Sequence, residues 1–210
     1  MKKEHKRQKK EVAYFMRRLY KQGLTTTFGG NISVRLSDEI ILITPSSTDK
    51  ATRKWKDIGV LTINGDNLTP ELKPSMEAEM HLNIYRSNAG IKAVVHAHPV
   101  FSSAFTALNC PIDATLTAET ASVLERPEKV PYALMGTPGL AKVVAEKAVL
   151  SSILLLENHG IIATGSNLLH AFNRIEVLEN AAKMTVITTM MKKKSPLSRT
   201  KILEIEKLFK

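Results

Sequence analysis

An α/β sandwich on a largely antiparallel sheet is the fold class that this sequence predicts. Three observations predict it. Short runs rich in β-branched and aliphatic residues recur at 31–35, 39–44, 59–63 and 93–98 and on both sides of His159, and each has strand length. Longer segments between them place apolar residues three and four apart, the spacing of amphipathic helices. The two kinds of segment mix without strict alternation, which argues against a parallel, doubly wound sheet. At 210 residues and 43% hydrophobic content the chain can bury one sizeable core, and no linker-like stretch divides it, so one domain over 1–210 is expected.

The elements follow in order. Val12, Phe15, Met16, Leu19 and Tyr20 recur at helical spacing, and Gly23 terminates that helix. Strands are expected over Asn31–Arg35, Glu39–Thr44 and Gly59–Ile63, the last running into an Asn64-Gly65 turn. Pro74 and Ser75 mark a helix start, with Met76, Met80 and Ile84 on one face. The histidine strand comes next, then a helix over 100–108, an extended stretch over 127–131 and a helix over 139–150. Two strands should meet at a glycine turn beside His159. A long helix is expected over 167–192 with Asn167 as N-cap, and a shorter one over 201–209.

The run Ala93-Val94-Val95-His96-Ala97-His98-Pro99 carries the most information about chemistry. On a strand, residues two apart share a face, so His96 and His98 project side by side. His159, in Leu156-Glu157-Asn158-His159-Gly160, ends another apolar run. Each histidine taken alone reads as an ordinary hydrogen-bonded strand-end residue. Together, three neutral imidazoles would hold a zinc ion and leave one coordination position open, the composition of a catalytic site.

Glu77 falls in the first turn of the expected Ser75 helix, where the helix dipole favours a carboxylate. It reads as a dipole-matching surface charge or as a functional acid. His81 lies four residues on, and the pair reads either as a second ligand set or as an i,i+4 contact. Gly29-Gly30-Asn31 taken alone is a plain turn.

In sequence order, Gly29-Gly30-Asn31-Ile32-Ser33, Ile43-Thr44-Pro45-Ser46-Ser47, Lys73-Pro74-Ser75-Met76-Glu77, His96-Ala97-His98 and Asn158-His159-Gly160 resemble the class II aldolase/adducin family, and within it the L-fuculose-phosphate aldolases. The likeness runs from about residue 8 to about residue 209. It implies a three-layer α/β/α sandwich and a zinc site made by His96, His98 and His159, in which another divalent transition metal could also sit. Glu77 would be the resting fourth ligand and the catalytic acid/base. Gly30, Asn31, Ser46, Ser47 and Ser75 would hold a substrate phosphate, the glycine allowing close backbone approach and the others supplying donors. The implied reaction is cleavage of a ketose 1-phosphate to dihydroxyacetone phosphate and an aldehyde, through an enediolate that the metal stabilises as a Lewis acid. The resemblance also implies a homotetramer with active sites between subunits.

Three departures stand out. Met76 replaces a second serine before the glutamate, and Ser46-Ser47 replaces a Thr-Gly pair. The family's tyrosines, one matching the Leu116-Thr117 stretch and one in a C-terminal tail, have no counterpart among Tyr14, Tyr20, Tyr85 and Tyr132; Thr117 or Glu119 would have to fill that place. These departures keep open a sugar-phosphate 4-epimerase, a decarboxylase of an oxo-acid phosphate or a methylthioribulose-phosphate dehydratase. A non-catalytic adducin-like scaffold is disfavoured by the intact His96, His98, His159 and Glu77.

The formal charge of +10 is concentrated in a basic tip at 1–10 and in Lys192-Lys193-Lys194. Such runs form solvated tails or helix faces. With 5% aromatic residues and no base-stacking motif, no nucleic-acid partner is expected; the positive field suits an anionic sugar phosphate instead. Cys110 is the single cysteine, which points to a reducing cytoplasm. Arg17 and Arg18 interrupt the first apolar segment as a signal peptide, and no apolar run has membrane-spanning length.

Overall fold

The computed structural model describes residues 3–124 and 126–209; Met1, Lys2, Glu125 and Lys210, two of them in the basic tip, lie outside the described residues. Helix α1 (Lys3–Lys21) takes in the rest of that tip and buries Val12, Phe15, Met16 and Leu19. It stops before Gly23, whose φ of +69° lies in the left-handed region that glycine enters without steric cost. Strands β1 (Asn31–Arg35), β2 (Ile40–Ile43) and β3 (Gly59–Thr62) follow, then α2 (Ala78–Ser87), β4 (Ala93–Ala97), α3 (Val100–Thr106) and α4 (Ala118–Val123). The chain continues through β5 (Glu128–Val130), α5 (Pro138–Ala148), β6 (Ile153–Leu156), β7 (Gly160–Gly165), α6 (Leu168–Met190) and α7 (Arg199–Phe209).

The strands form one sheet in the order β3-β2-β1-β4-β7-β6-β5. Every neighbouring pair is antiparallel except β5 with β6. Strand alternation divides the apolar side chains between two cores. Ile32, Ala93, Val95, Leu155, Ile161 and Ala163 pack with α1, α3 and α6. Ile41, Val94, Leu154, Leu156 and Ile162 pack with α2 and α5 on the opposite face. Strands buried on both sides explain the unbroken apolar runs. The result is the α/β sandwich on a largely antiparallel sheet that the sequence predicted.

Three local features differ from the sequence reading. The helix expected from Ser75 begins at Ala78, because the Ser75 hydroxyl accepts the Glu77 N–H at 3.2 Å and the Ser75 carbonyl accepts the Ala78 N–H at 3.0 Å. This local turn competes with the first helical turn and leaves Glu77 as N-cap residue. Helix α4 and two short 3-10 turns, Lys50–Thr52 and Trp55–Asp57, have too few residues to show a period. In the β6–β7 turn the left-handed residue is Asn158 (φ 53°), and Gly160 is already the first residue of β7.

Asn167 caps α6 as expected, its side chain accepting the His170 N–H at 2.8 Å. Replacing Asn167 by Ala should remove about 1 kcal/mol of stability. Thermal denaturation should show a Tm lower by about 2–4 °C.

Candidate metal centre

The sheet register assembles the site. Asn31 on β1 lies opposite His96 on β4, and His96 lies opposite Ile162 on β7. His98 follows the last residue of β4, while the β6–β7 turn carries His159 to the same end of the sheet. The three rings therefore meet, with centroids 4.6 Å (His96–His98), 4.9 Å (His96–His159) and 5.5 Å (His98–His159) apart. One ring nitrogen from each lies within 4.8 Å of the others.

Glu77 closes the cluster. Its carboxylate is 8% exposed, with Oε2 3.3 Å from His96 Nε2 and Oε1 3.3 Å from His159 Nε2. His96 donates from Nδ1 to the Ile161 carbonyl at 2.9 Å, so in the neutral ring Nε2 is a bare lone pair. That lone pair faces a carboxylate oxygen, acceptor against acceptor. His96 Nε2, His98 Nε2 and Glu77 Oε1 are all buried without a hydrogen-bond partner. A divalent cation among them would satisfy every one of these atoms, and the Ile161 bond would orient His96 as a ligand. The residues thus fit a metal ion.

The electrostatics agree. Burial pushes the Glu77 carboxyl pKa up, but the fields of His96, His159 and His81 and the Asn31 hydrogen bond outweigh it and hold the value down at about 2. Burial, then His96 and His159, push His98 down to about 3. Burial and His96 also lower His159. A carboxyl group that ionises easily, beside imidazoles such as His98 and His159 that lose their protons easily, suits metal binding.

Gly29 and Gly30 line the approach to these rings. A Cβ on Gly29 would stand 2.8 Å from His98 Nδ1, and one on Gly30 2.7 Å from the His96 carbonyl. The Ser46–Ser47 and Ser75 segments are tied by the Pro45–Pro74 bridge and by the Ser46 N–H donating to Lys73 O at 3.0 Å. Ser47 keeps the left-handed backbone (φ 51°) that suits a glycine at that position, at a cost of roughly 1–2 kcal/mol. Asn31, expected on the phosphate, is 4% exposed and donates from Nδ2 to Glu77 Oε2 at 2.7 Å. Met76 is exposed. Thr117 accepts the Thr120 N–H as N-cap of α4, and Glu119 is exposed in that helix's first turn.

The pattern of the Class II Aldolase and Adducin N-terminal domain matches residues 10–186. The chain belongs to the class II aldolase and adducin family. Among curated relatives, the 3-oxo-tetronate 4-phosphate decarboxylase of Haemophilus influenzae is 35% identical over 181 residues, covering 84% of this chain and 86% of that one. The L-fuculose phosphate aldolase of Methanocaldococcus jannaschii is 32% identical over 185 residues, covering 88% and 99%. A solved L-fuculose 1-phosphate aldolase superposes with a TM-score of 0.86 at 32% identity, covering 96% and 95%.

Two features of this family member were not legible beforehand. His81 is no part of the three-histidine cluster; its ring bonds to Ser33 and Asn31. Lys50 is 2% exposed and donates from Nζ to the Pro45 carbonyl at 2.9 Å. Burial and Arg53 push its pKa down to about 8, against the raising field of Glu77. Only the contact between loops reveals it.

Gly160 tests the packing of the site. A Cβ there would lie 2.4 Å from His98 Cδ2 and 2.8 Å from the Ala97 carbonyl, whereas at Gly139 the nearest atom is 3.8 Å away. Gly160→Ala should lower zinc affinity by on the order of 10–100-fold in a chelator competition, with Gly139→Ala binding normally.

Acid should unfold the metal-free protein for a stated reason. His81 and His98 have folded pKa values of about 3, below the ordinary 6.5, and Glu77 about 2, below 4.5. Depressed values mean that the unfolded chain binds more protons in that range, so stability is complete above pH 6.5 and falls with acidification. Denaturant titrations should show a first decline between pH 6.5 and 5 and a steeper one below 4.5.

Proposed function

We propose that this chain is a zinc-dependent class II aldolase that cleaves a ketose 1-phosphate to dihydroxyacetone phosphate and an aldehyde. The observation that carries the reading is the ionised Glu77 carboxylate held against the three-histidine cluster. A divalent ion held by His96, His98 and His159 supplies Lewis acidity toward a carbonyl and its neighbouring hydroxyl.

This chain's residues do the rest. Cleavage moves one proton from the hydroxyl on the departing carbon to the carbon left beside the carbonyl. Glu77, a carboxylate at rest, is placed to carry a proton at that carbon. Ser46, Ser47 and Ser75 offer hydroxyls and Gly30 close backbone approach for the phosphate, while the Lys50 ammonium adds positive charge beneath the same loops. Asn31 acts on Glu77 in this reading. Exposed Phe28, Met76, Leu134 and Met135 supply apolar surface for the homotetramer that completes the proposal. A cytoplasmic location agrees with a single exposed thiol at Cys110; among the described residues no helix is long and apolar enough to cross a membrane.

A second reading, decarboxylation of an oxo-acid phosphate, draws on the Haemophilus influenzae relative. It uses the same site, with carbon dioxide leaving in place of an aldehyde and Glu77 passing a proton taken up from water to the carbon left behind.

Zinc-loaded protein given a panel of ketose 1-phosphates should release dihydroxyacetone phosphate, followed by a coupled dehydrogenase. Glu77→Gln should lower that rate by about 10²–10⁴-fold. No release from any ketose, with zinc-dependent carbon dioxide formation from a 3-oxo-acid phosphate, would select the decarboxylase.

A further inference from the structure

Beneath the histidine cluster, α2 and β1 face each other with polar side chains where the surrounding core is apolar. Residues 77, 81 and 85 share one face at the N-cap and along α2, and residues 31 and 33 share one face of β1. They interdigitate. Tyr85 OH lies 2.8 Å from Ser33 Oγ, Ser33 Oγ 2.6 Å from His81 Nδ1, His81 Nε2 2.5 Å from Asn31 Oδ1, and Asn31 Nδ2 2.7 Å from Glu77 Oε2. Ser33 and His81 are wholly buried, and Tyr85 is 1% exposed.

The donor direction along this chain has one solution. A carboxylate only accepts, so the Asn31 amide presents its NH₂ to Glu77 and its carbonyl to His81. That carbonyl only accepts, so His81 carries its proton on Nε2. A buried, neutral His81 then has a bare Nδ1, which takes the Ser33 hydroxyl proton, and Ser33 in turn accepts from Tyr85. Arg35 holds the far end, its guanidinium donating to the Tyr85 carbonyl with its carbon 5.2 Å from the ring centroid.

We infer that Tyr85, Ser33, His81 and Asn31 form a one-way hydrogen-bond chain that keeps an N–H on Glu77 Oε2 and so aims the carboxylate at the histidine cluster. His81 and Asn31 are positioning residues in this account. The inference rests on the reading of Glu77 as the group that moves the proton. Its structural consequence is that His81 locks the Asn31 amide: were Asn31 to flip, its carbonyl would face the carboxylate. A buried chain with every member satisfied has the rigidity that this task needs.

Two substitutions at one position separate positioning from mere packing. Glutamine places its amide near the imidazole Nε2 position and can still donate to Asn31; asparagine reaches only the Nδ1 position, toward Ser33. His81→Asn should lower kcat by on the order of 10²-fold with KM within about twofold, and should weaken zinc binding by about 10–100-fold. His81→Gln should recover most of both. Equal behaviour of the two folded variants would overturn the inference. A ¹⁵N NMR spectrum of the wild-type protein should show His81 protonated on Nε2 and bare on Nδ1, and the opposite tautomer would overturn it even if neither variant folds. The zinc titration and the tautomer need no substrate, so they decide the chain's role independently, whereas a wild-type protein inert toward every sugar phosphate counts against the proposed reaction alone.

Discussion

A buried carboxylate held against two imidazoles is the interaction on which the rest of this structure depends. Glu77 stands 3.3 Å from both His96 Nε2 and His159 Nε2, and Ile161 has already claimed the His96 Nδ1 proton. A neutral His96 therefore turns a bare Nε2 to the carboxylate, and two acceptors repel unless positive charge lies between them. A neutral imidazole cannot supply it, and burial pushes the pKa values of His98 and His159 down. A divalent ion can, and the residues of the cluster fit one. Asn31 donates to the same carboxylate from its other side.

The fold supplies that contact from elements far apart in sequence. Antiparallel pairing of β4 with both β1 and β7 sets Asn31, His96 and the His159 turn side by side. Glycines at 29, 30 and 160 let the backbone come up against the rings, since at each a Cβ would fall under 3.0 Å from an atom of the site. The apolar runs of β4, β6 and β7, buried on both faces, hold the strands rigidly enough to fix the rings within a few ångströms.

Much of this was legible in the sequence, and for identifiable reasons. Strand β1 has the bounds that its residues predict, the expected spans of α5 and α6 match to within two residues, and the apolar period over 12–20 with Gly23 locates the C-terminal half of α1. His96 and His98 were readable as a pair because strand geometry is local. The likeness of the separated motifs to a known family, more than any one of them, pointed to Glu77 and His159. What could not be read were contacts between elements. The resemblance implies a phosphate contact for Asn31, and its side-chain bonds to Glu77 and His81 carry no signal in the sequence. His81 looked like a neighbour of Glu77 at helical spacing, yet Ser33 and Asn31 take its ring. The start of α2 is set by a serine hydroxyl that accepts from two residues ahead, a bond that carries no periodic signal.

The most direct test of this account is the coordination of the bound metal. X-ray absorption at the zinc edge of stoichiometrically loaded, substrate-free protein should show imidazole scattering from three histidines together with a carboxylate oxygen, and the oxygen shell should change in Glu77→Gln. Protein that retains no metal under these conditions, or a spectrum without three imidazoles, would contradict the claim that His96, His98, His159 and Glu77 are arranged around a cation.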